Sequence, residues 1–339
     1  MSTHPVSALA AGEVVGQLLD AGAEGADLVL LAATPGHRGA LEDVMAACRR
    51  LLAPAVLAGV VADEAMAAGT ASGTGPAVAA WAARCGPVTG RWLRAPARPT
   101  ATAAAPATTL VALAGAGEEW PARSWEDGPR SPAAGVAGTA AIALGAEVAS
   151  GGGWALELAA ASSVRVVQAL RPLGPVLPAQ SDGRLLLRLG GVPAFEQLLC
   201  LARDGVAAGD LAEVGAGLHV EAPAGEGAPV AVLGHHRATG GLALAAPIAP
   251  GVTARLLVRD RRAVRRGVAA ALAGAAGAVV LGAPGIGAAL AGGAASRGGP
   301  LTASVLPPAT LYVGAPATLS GGNAAPGRDA VVVAFPPGR

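Results

Sequence analysis

Residues 279–290, VVLGAPGIGAAL, set glycines where a phosphate-binding loop would have them. Gly282 and Gly287 match the two glycines of the pattern G-x-x-x-x-G-K-[ST], but Ala288 and Ala289 stand where its Lys and hydroxyl residue belong. Read as a dinucleotide fingerprint from Gly285 and Gly287, the third small position falls on Leu290, where close helix–strand packing requires Gly or Ala. What remains is a backbone device. Bare N–H groups of Gly282, Gly285 and Gly287 at a strand-to-helix turn can hold a carboxylate or phosphate without a side-chain cation. The competing reading is a tight turn whose glycines supply positive φ, in a chain with 50 glycines.

The other reactive side chains are sparse. All 24 basic residues are Arg, so no Schiff base, P-loop ammonium or Ser–Lys pair can form. Arg261, Arg262, Arg265 and Arg266 span about 140° of a helix at 100° per residue, which reads as a solvated basic face. Arg255 precedes them and, in an alternating strand, shares a face with Thr253 and Leu257. His235 and His236 are adjacent and point to opposite faces of a strand, which does not suit one metal; His4, His37 and His219 are distant in sequence. Cys48 and Cys200, each in a helix, read as small core residues without a local base. Asp63/Glu64, Glu118/Glu119 and Glu126/Asp127 are neighbouring carboxylates that splay into solvent. With no G-x-S-x-G elbow, no H-E-x-x-H and no nucleophile–base pair in view, the chain is not expected to be an enzyme, and neither a metal nor a cofactor is expected.

Composition narrows the partners. A formal net charge of +1 supplies no field for nucleic acid, and the few aromatic residues form no stacking platform. Residues 267–296 are uncharged and long enough to span a bilayer, but only seven of the thirty are Val, Leu or Ile, and Pro284 with several glycines interrupts any helix. No membrane span is expected. Three widely spaced cysteines without C-x-x-C and an amino-terminal stretch that lacks a basic region and meets Glu13 fit a cytoplasmic protein.

The elements that must position these residues are short. Val14/Val15 and Leu18/Leu19 predict a helix over Glu13–Glu24, followed by the apolar strand 26–33. A second helix carries Leu41, Val44, Met45, Cys48, Leu51 and Leu52 on one stripe, and 55–61 is another buried strand. Helix–strand–helix–strand order implies at least one parallel pair. Beyond residue 75 come strand candidates without intervening helices, interrupted by the Pro- and Thr-rich linker 94–108. A helix at 192–202 starts on Pro193, strands are expected at 217–221, 230–236, 241–246 and 252–258, and Asp260 caps a helix bearing Val264, Val268 and Leu272. Three further strands, LTASVL, TLYVGA and AVVVAF, close the chain. The fold class is therefore mixed α/β (α+β): two related mixed-sheet halves packed with flanking helices.

At SSVRVVQALRPLGPVLPAQSDGRLLLRLGGVPAFEQLL, residues 162–199, the chain resembles the FIST family of F-box and intracellular signal transduction proteins. The matching features are an R-P-x-G-P turn at Arg171, Pro172, Gly174 and Pro175 and a step at Leu189, Gly191, Pro193 and Ala194 that leads into a helix. Residues 26–69 are similar to the amino-terminal FIST half, and VTARLLVRDRRAVRRGV to part of the carboxy-terminal half. The resemblance implies a FIST amino-terminal-like domain at 1–190 and a carboxy-terminal-like domain at 191–339. It further implies a sensory domain that binds an amino-acid-like or other small anionic ligand without catalysis and signals through a protein partner. Arg171, Gly174, Arg255, Gly282, Gly285 and Gly287 are then the expected ligand contacts. The Cys, Arg, Glu and His that many family members carry near the last strands are missing here, which keeps open a degenerate scaffold or protein-interaction module with no ligand.

Overall fold

The computed structural model describes residues 1–67, 70–72, 75–93, 108–114, 133–158, 163–168, 170–205, 216–222, 225–226, 230–244, 246–259, 261–282, 286, 290, 301–302, 310–314, 317–320, 323–326 and 329–335. Helix α1 spans Ser7–Asp20 rather than Glu13–Glu24. Its buried stripe is Ala10, Ala11, Val14 and Val15, and two left-handed glycines, Gly22 and Gly25, end it early. Strand β1 (Leu28–Ala33) is buried along its whole length, and α2 (Leu41–Leu52) turns Leu41, Val44, Met45, Cys48 and Leu52 onto the sheet. Strand β2 (Val56–Val61) then pairs with β1 in parallel.

The chain is a mixed α+β fold that divides into two compact units, Met1–Val167 with Arg265–Arg339, and Gln168–Val264. The division does not fall at residue 190. Strand β13 (Leu170–Asp182) and β14 (Leu185–Leu189) pair with β20 (Thr253–Arg259) and β19 (Gly241–Leu244), so long-range ladders bind residues 170–189 to residues 241–259.

The first unit holds three sheets. One runs in the order β10 (Glu147–Ala149), β9 (Ala141–Leu144), β2, β1, β5 (Val78–Ala83). A second runs β25 (Asn323–Pro326), β24 (Ala317–Ser320), β8 (Ala133–Thr139), β7 (Thr108–Ala114), β11 (Gly152–Leu158), β6 (Val88–Leu93). The third runs β12 (Ser163–Gln168), β26 (Asp329–Phe335), β21 (Gly277–Gly282), β23 (Thr310–Gly314), β3 (Glu64–Ala67), β4 (Thr70–Ala71), β22 (Leu301–Thr302). Alternation splits β1 between two cores: Val29, Leu31 and Ala33 face the helices, whereas Leu28, Leu30 and Ala32 join residues of the other two sheets.

This unit repeats one path. Helix α1, β1 and β2 are matched by α4 (Arg261–Leu272), of which residues 265–272 belong to this unit, β21 and β23, each parallel pair carrying an antiparallel strand on its outer side, β5 on β1 and β26 on β21. Trp81 of β5 and Phe335 of β26 meet at 5.0 Å between ring centroids. The first copy falls within residues 7–83 and the second within residues 261–335, before and after residue 190 in the chain, and strands of both lie in the first unit.

The second unit is a closed antiparallel barrel. Its circuit is β13, β20, β16 (Ala216–Ala222), β18 (Val230–His236), β19 and β14, shut by pairing of β14 with β13; β15 (Val192–Pro193) and β17 (Gly225–Glu226) are side ladders. Among the described residues every strand of the circuit pairs on both sides. Helix α3 (Ala194–Gly205) adds Ala194 and Leu198 to a core of Leu173, Leu186, Leu189, Leu218, Leu242, Leu256 and Val258.

Candidate functional site

The end of β21 is where the glycine loop begins. Gly282 is buried beside Gly314 of β23, and Gly314 stands opposite Glu64 of β3. Tyr312, fully buried, lies across these positions and its hydroxyl donates to Glu64 Oε2 at 3.3 Å. A Cβ on Gly282 would come within 2.9 Å of the Tyr312 ring, and one on Gly314 within 3.0 Å of its hydroxyl. Both glycines therefore make room for a phenol. Gly282 shows no positive φ and is filled against by protein. Gly285 and Gly287 lie outside the described residues, as do Asp260, Glu118/Glu119, Glu126/Asp127 and the linker 94–108 apart from Thr108. Asp63 is exposed, and Glu64 is half-buried against Tyr312. Partial burial nonetheless holds the Asp63 carboxyl above its ordinary pKa.

The remaining expected contacts belong to the barrel. Arg171 pairs with Val258 across β13 and β20, on the face that carries the buried residues Ala254, Leu256 and Val258. Arg255 stands opposite His219 on the other face, with Thr253 and Leu257 as expected. Period-two alternation thus turns the two arginines to opposite sides of the barrel wall, and they do not converge on one ligand. Gly174 is not in a turn. It lies at a bulge within β13 at φ +81°, and a Cβ there would meet Leu201 of α3 at 2.7 Å, so the glycine serves a kink and close helix packing.

An internal cavity of 30 Å³ lies beside Leu281, lined by Leu30, Val60, Leu110, Trp154, Leu281, Val313 and other apolar residues. It offers a ligand neither charge nor space.

Sequence reading missed one polar pair. Ser7 Oγ lies 2.8 Å from Nδ1 of His37, a residue 1% exposed whose Nε2 makes no hydrogen bond. The partners are 30 positions apart, so no local pattern announces them. Ser7 opens α1 and His37 sits in the 3-10 turn Pro35–Ala40 after β1, so the bond ties helix start to strand end. Burial holds the His37 pKa below its ordinary 6.5; the His4 backbone opposes this and the His4 charge adds to it. A depressed histidine pKa means the unfolded chain takes up the proton more readily. Stability should be complete above pH 6.5 and fall as pH drops through the lowered folded value. Urea midpoints measured across about pH 5–8 should show this acid limb, and His37→Gln should flatten it; an unchanged limb would assign the loss to other groups.

His235 stacks on Phe195 at 4.3 Å and His236 bonds Thr239 Oγ1 at 3.0 Å. Cys48 is buried as expected, whereas Cys200 of α3 is exposed and is not a core residue. Burial pushes the thiols of Cys48 and Cys85 up to about 11, opposite to what a nucleophile needs, with the Asp27 charge adding at Cys85. Among the described residues no three His, Cys, Asp or Glu side chains gather as metal ligands, and no helix is long and apolar enough to cross a membrane. Neither a known family model nor a curated protein matches this chain.

Proposed function

We propose that this is a FIST-like sensory protein of the cytoplasm that binds a small amino-acid-like or anionic ligand, performs no chemistry, and signals through a protein partner. The observation that carries the reading is the duplicated path of α1–β1–β2 and α4–β21–β23, in line with the two related halves that the resemblance implies. A binding role also suits the described polar groups. Ser7 and His37 hold a helix to a strand, and the Cys48 and Cys85 thiols are biased toward their neutral forms.

The second reading, a scaffold or protein-interaction module without ligand, is favoured by the apolar cavity beside Leu281 and by the occupation of the Gly282 position by Tyr312. A thermal-shift panel of amino acids and organic acids separates the two. Saturable stabilisation by at least one acid is expected; a flat response across the panel would leave the scaffold reading in its place.

A further inference from the structure

Resting on that binding reading, we propose that a groove in the first unit binds a small carboxylate with a flat apolar body. The groove, 300 Å³ in volume, lies among the end of α2, the start of β2, β6 and the turn after β9. Arg49, Trp92, Val56, Leu57, Leu144 and Gly145 contribute to its walls, and among the described residues no acidic side chain lines it.

Its chemistry comes from two donors. Among the described residues, neither the Arg49 guanidinium nor the Trp92 indole N–H hydrogen-bonds to protein or joins an ion pair. Three main-chain donors nearby are taken: Ala55 N–H by Ala26, Val56 N–H by Asp27 and Gly145 N–H by Leu57. A ligand must therefore be read by the guanidinium and the indole, against aliphatic side chains. Guanidinium forks match carboxylates, whereas an indole face and an aliphatic floor favour a ring or other flat body.

Two glycines shape the space. Gly145, at φ +66°, has Arg49 Nη1 3.5 Å from the point where a Cβ would stand, so the guanidinium reaches over a residue without a side chain. At Gly90 a Cβ would press on Leu144 at 3.0 Å and lift the floor. The cavity beside Leu281 has neither donors nor volume of this kind.

Calorimetry and saturation-transfer NMR on the full chain, with benzoate as the probe and benzamide and acetate as controls, test the assignment. Benzoate should bind with a dissociation constant of roughly millimolar order, as its few atoms allow. Benzamide lacks the charge and acetate the ring, and each should bind at least about tenfold more weakly. Arg49→Gln should weaken benzoate about tenfold, and Ala55→Trp, which fills the groove from an exposed position, should abolish binding while the urea midpoint stays unchanged. Benzoate binding that survives both substitutions overturns the groove. So does stabilisation by other acids with no benzoate binding, an outcome that spares the binding reading; if no acid binds at all, both proposals fall.

Discussion

Replacing Trp154 by Ala should cost about 3–5 kcal/mol of folding stability, the largest effect expected of any single core substitution here. Trp154 is 5% exposed and belongs to the core shared by the three sheets of the first unit. Its Nε1–H donates to the Gly59 carbonyl at 3.1 Å, tying β11 to β2 across two sheets. Truncation removes the indole area, opens a void next to the existing 30 Å³ cavity and deletes a buried donor. Trp154→Phe separates these contributions, since it keeps most of the ring area and should lose about 1 kcal/mol with the hydrogen bond. Urea denaturation with an unchanged slope provides the measurement. Equal losses for Ala and Phe would mean that the bond, and not the packing, holds the sheets together.

Gly282→Val comes second. Its Cβ would stand 2.9 Å from the Tyr312 ring and 3.2 Å from Ile286 Cγ2, and valine adds two methyl groups beyond that point. Overpacking of this kind costs about 1–3 kcal/mol, and burial of the strand end places the expected value at the upper limit. If Tyr312 is what the glycine accommodates, Tyr312→Leu should relieve part of the penalty, and the double substitution should cost less than the sum of the two singles. Additive costs would separate Gly282 from Tyr312. A stable Gly282→Val protein that had lost only ligand binding would return the residue to the anion-binding role its spacing suggests.

These two residues illustrate what a linear reading can and cannot reach. Continuous apolar runs announced β1 and β2, and the stripe through Leu41, Val44, Met45, Cys48, Leu51 and Leu52 announced α2, although Leu51 is exposed, because burial on both faces or on one helix side prints itself locally. The start of α1 was less legible. Its apolar face begins with small residues, Ala10 and Ala11, which carry little periodic signal in a chain so rich in alanine. The family resemblance set a turn at the R-P-x-G-P stretch. In the fold it is a bulged length of β13, where Gly174 yields space to Leu201 from a helix 27 positions on.

The site was harder still. Arg171 and Arg255 are both suitable anion ligands by type, yet the ladder register sets them on opposite faces of the barrel wall. Ser7 and His37 are unremarkable apart and adjacent only when α1 docks against the turn after β1. Arg49 and Trp92 share a groove because α2 ends where β6 passes, and nothing in their spacing of 43 positions says so.

By itself, then, the sequence determined the class of fold, the parallel pair at the amino terminus, and the exclusion of lysine-dependent chemistry, all of which follow from composition and from periods of two or 3.6 residues. Tertiary structure alone decided that strands of both related halves lie in the first unit, that residues 170–259 close a barrel, and that Gly282 serves Tyr312. The physical reason is that strand register and close packing are set by partners hundreds of positions away, such as Glu64 and Tyr312, and local sequence carries no record of which partner will arrive.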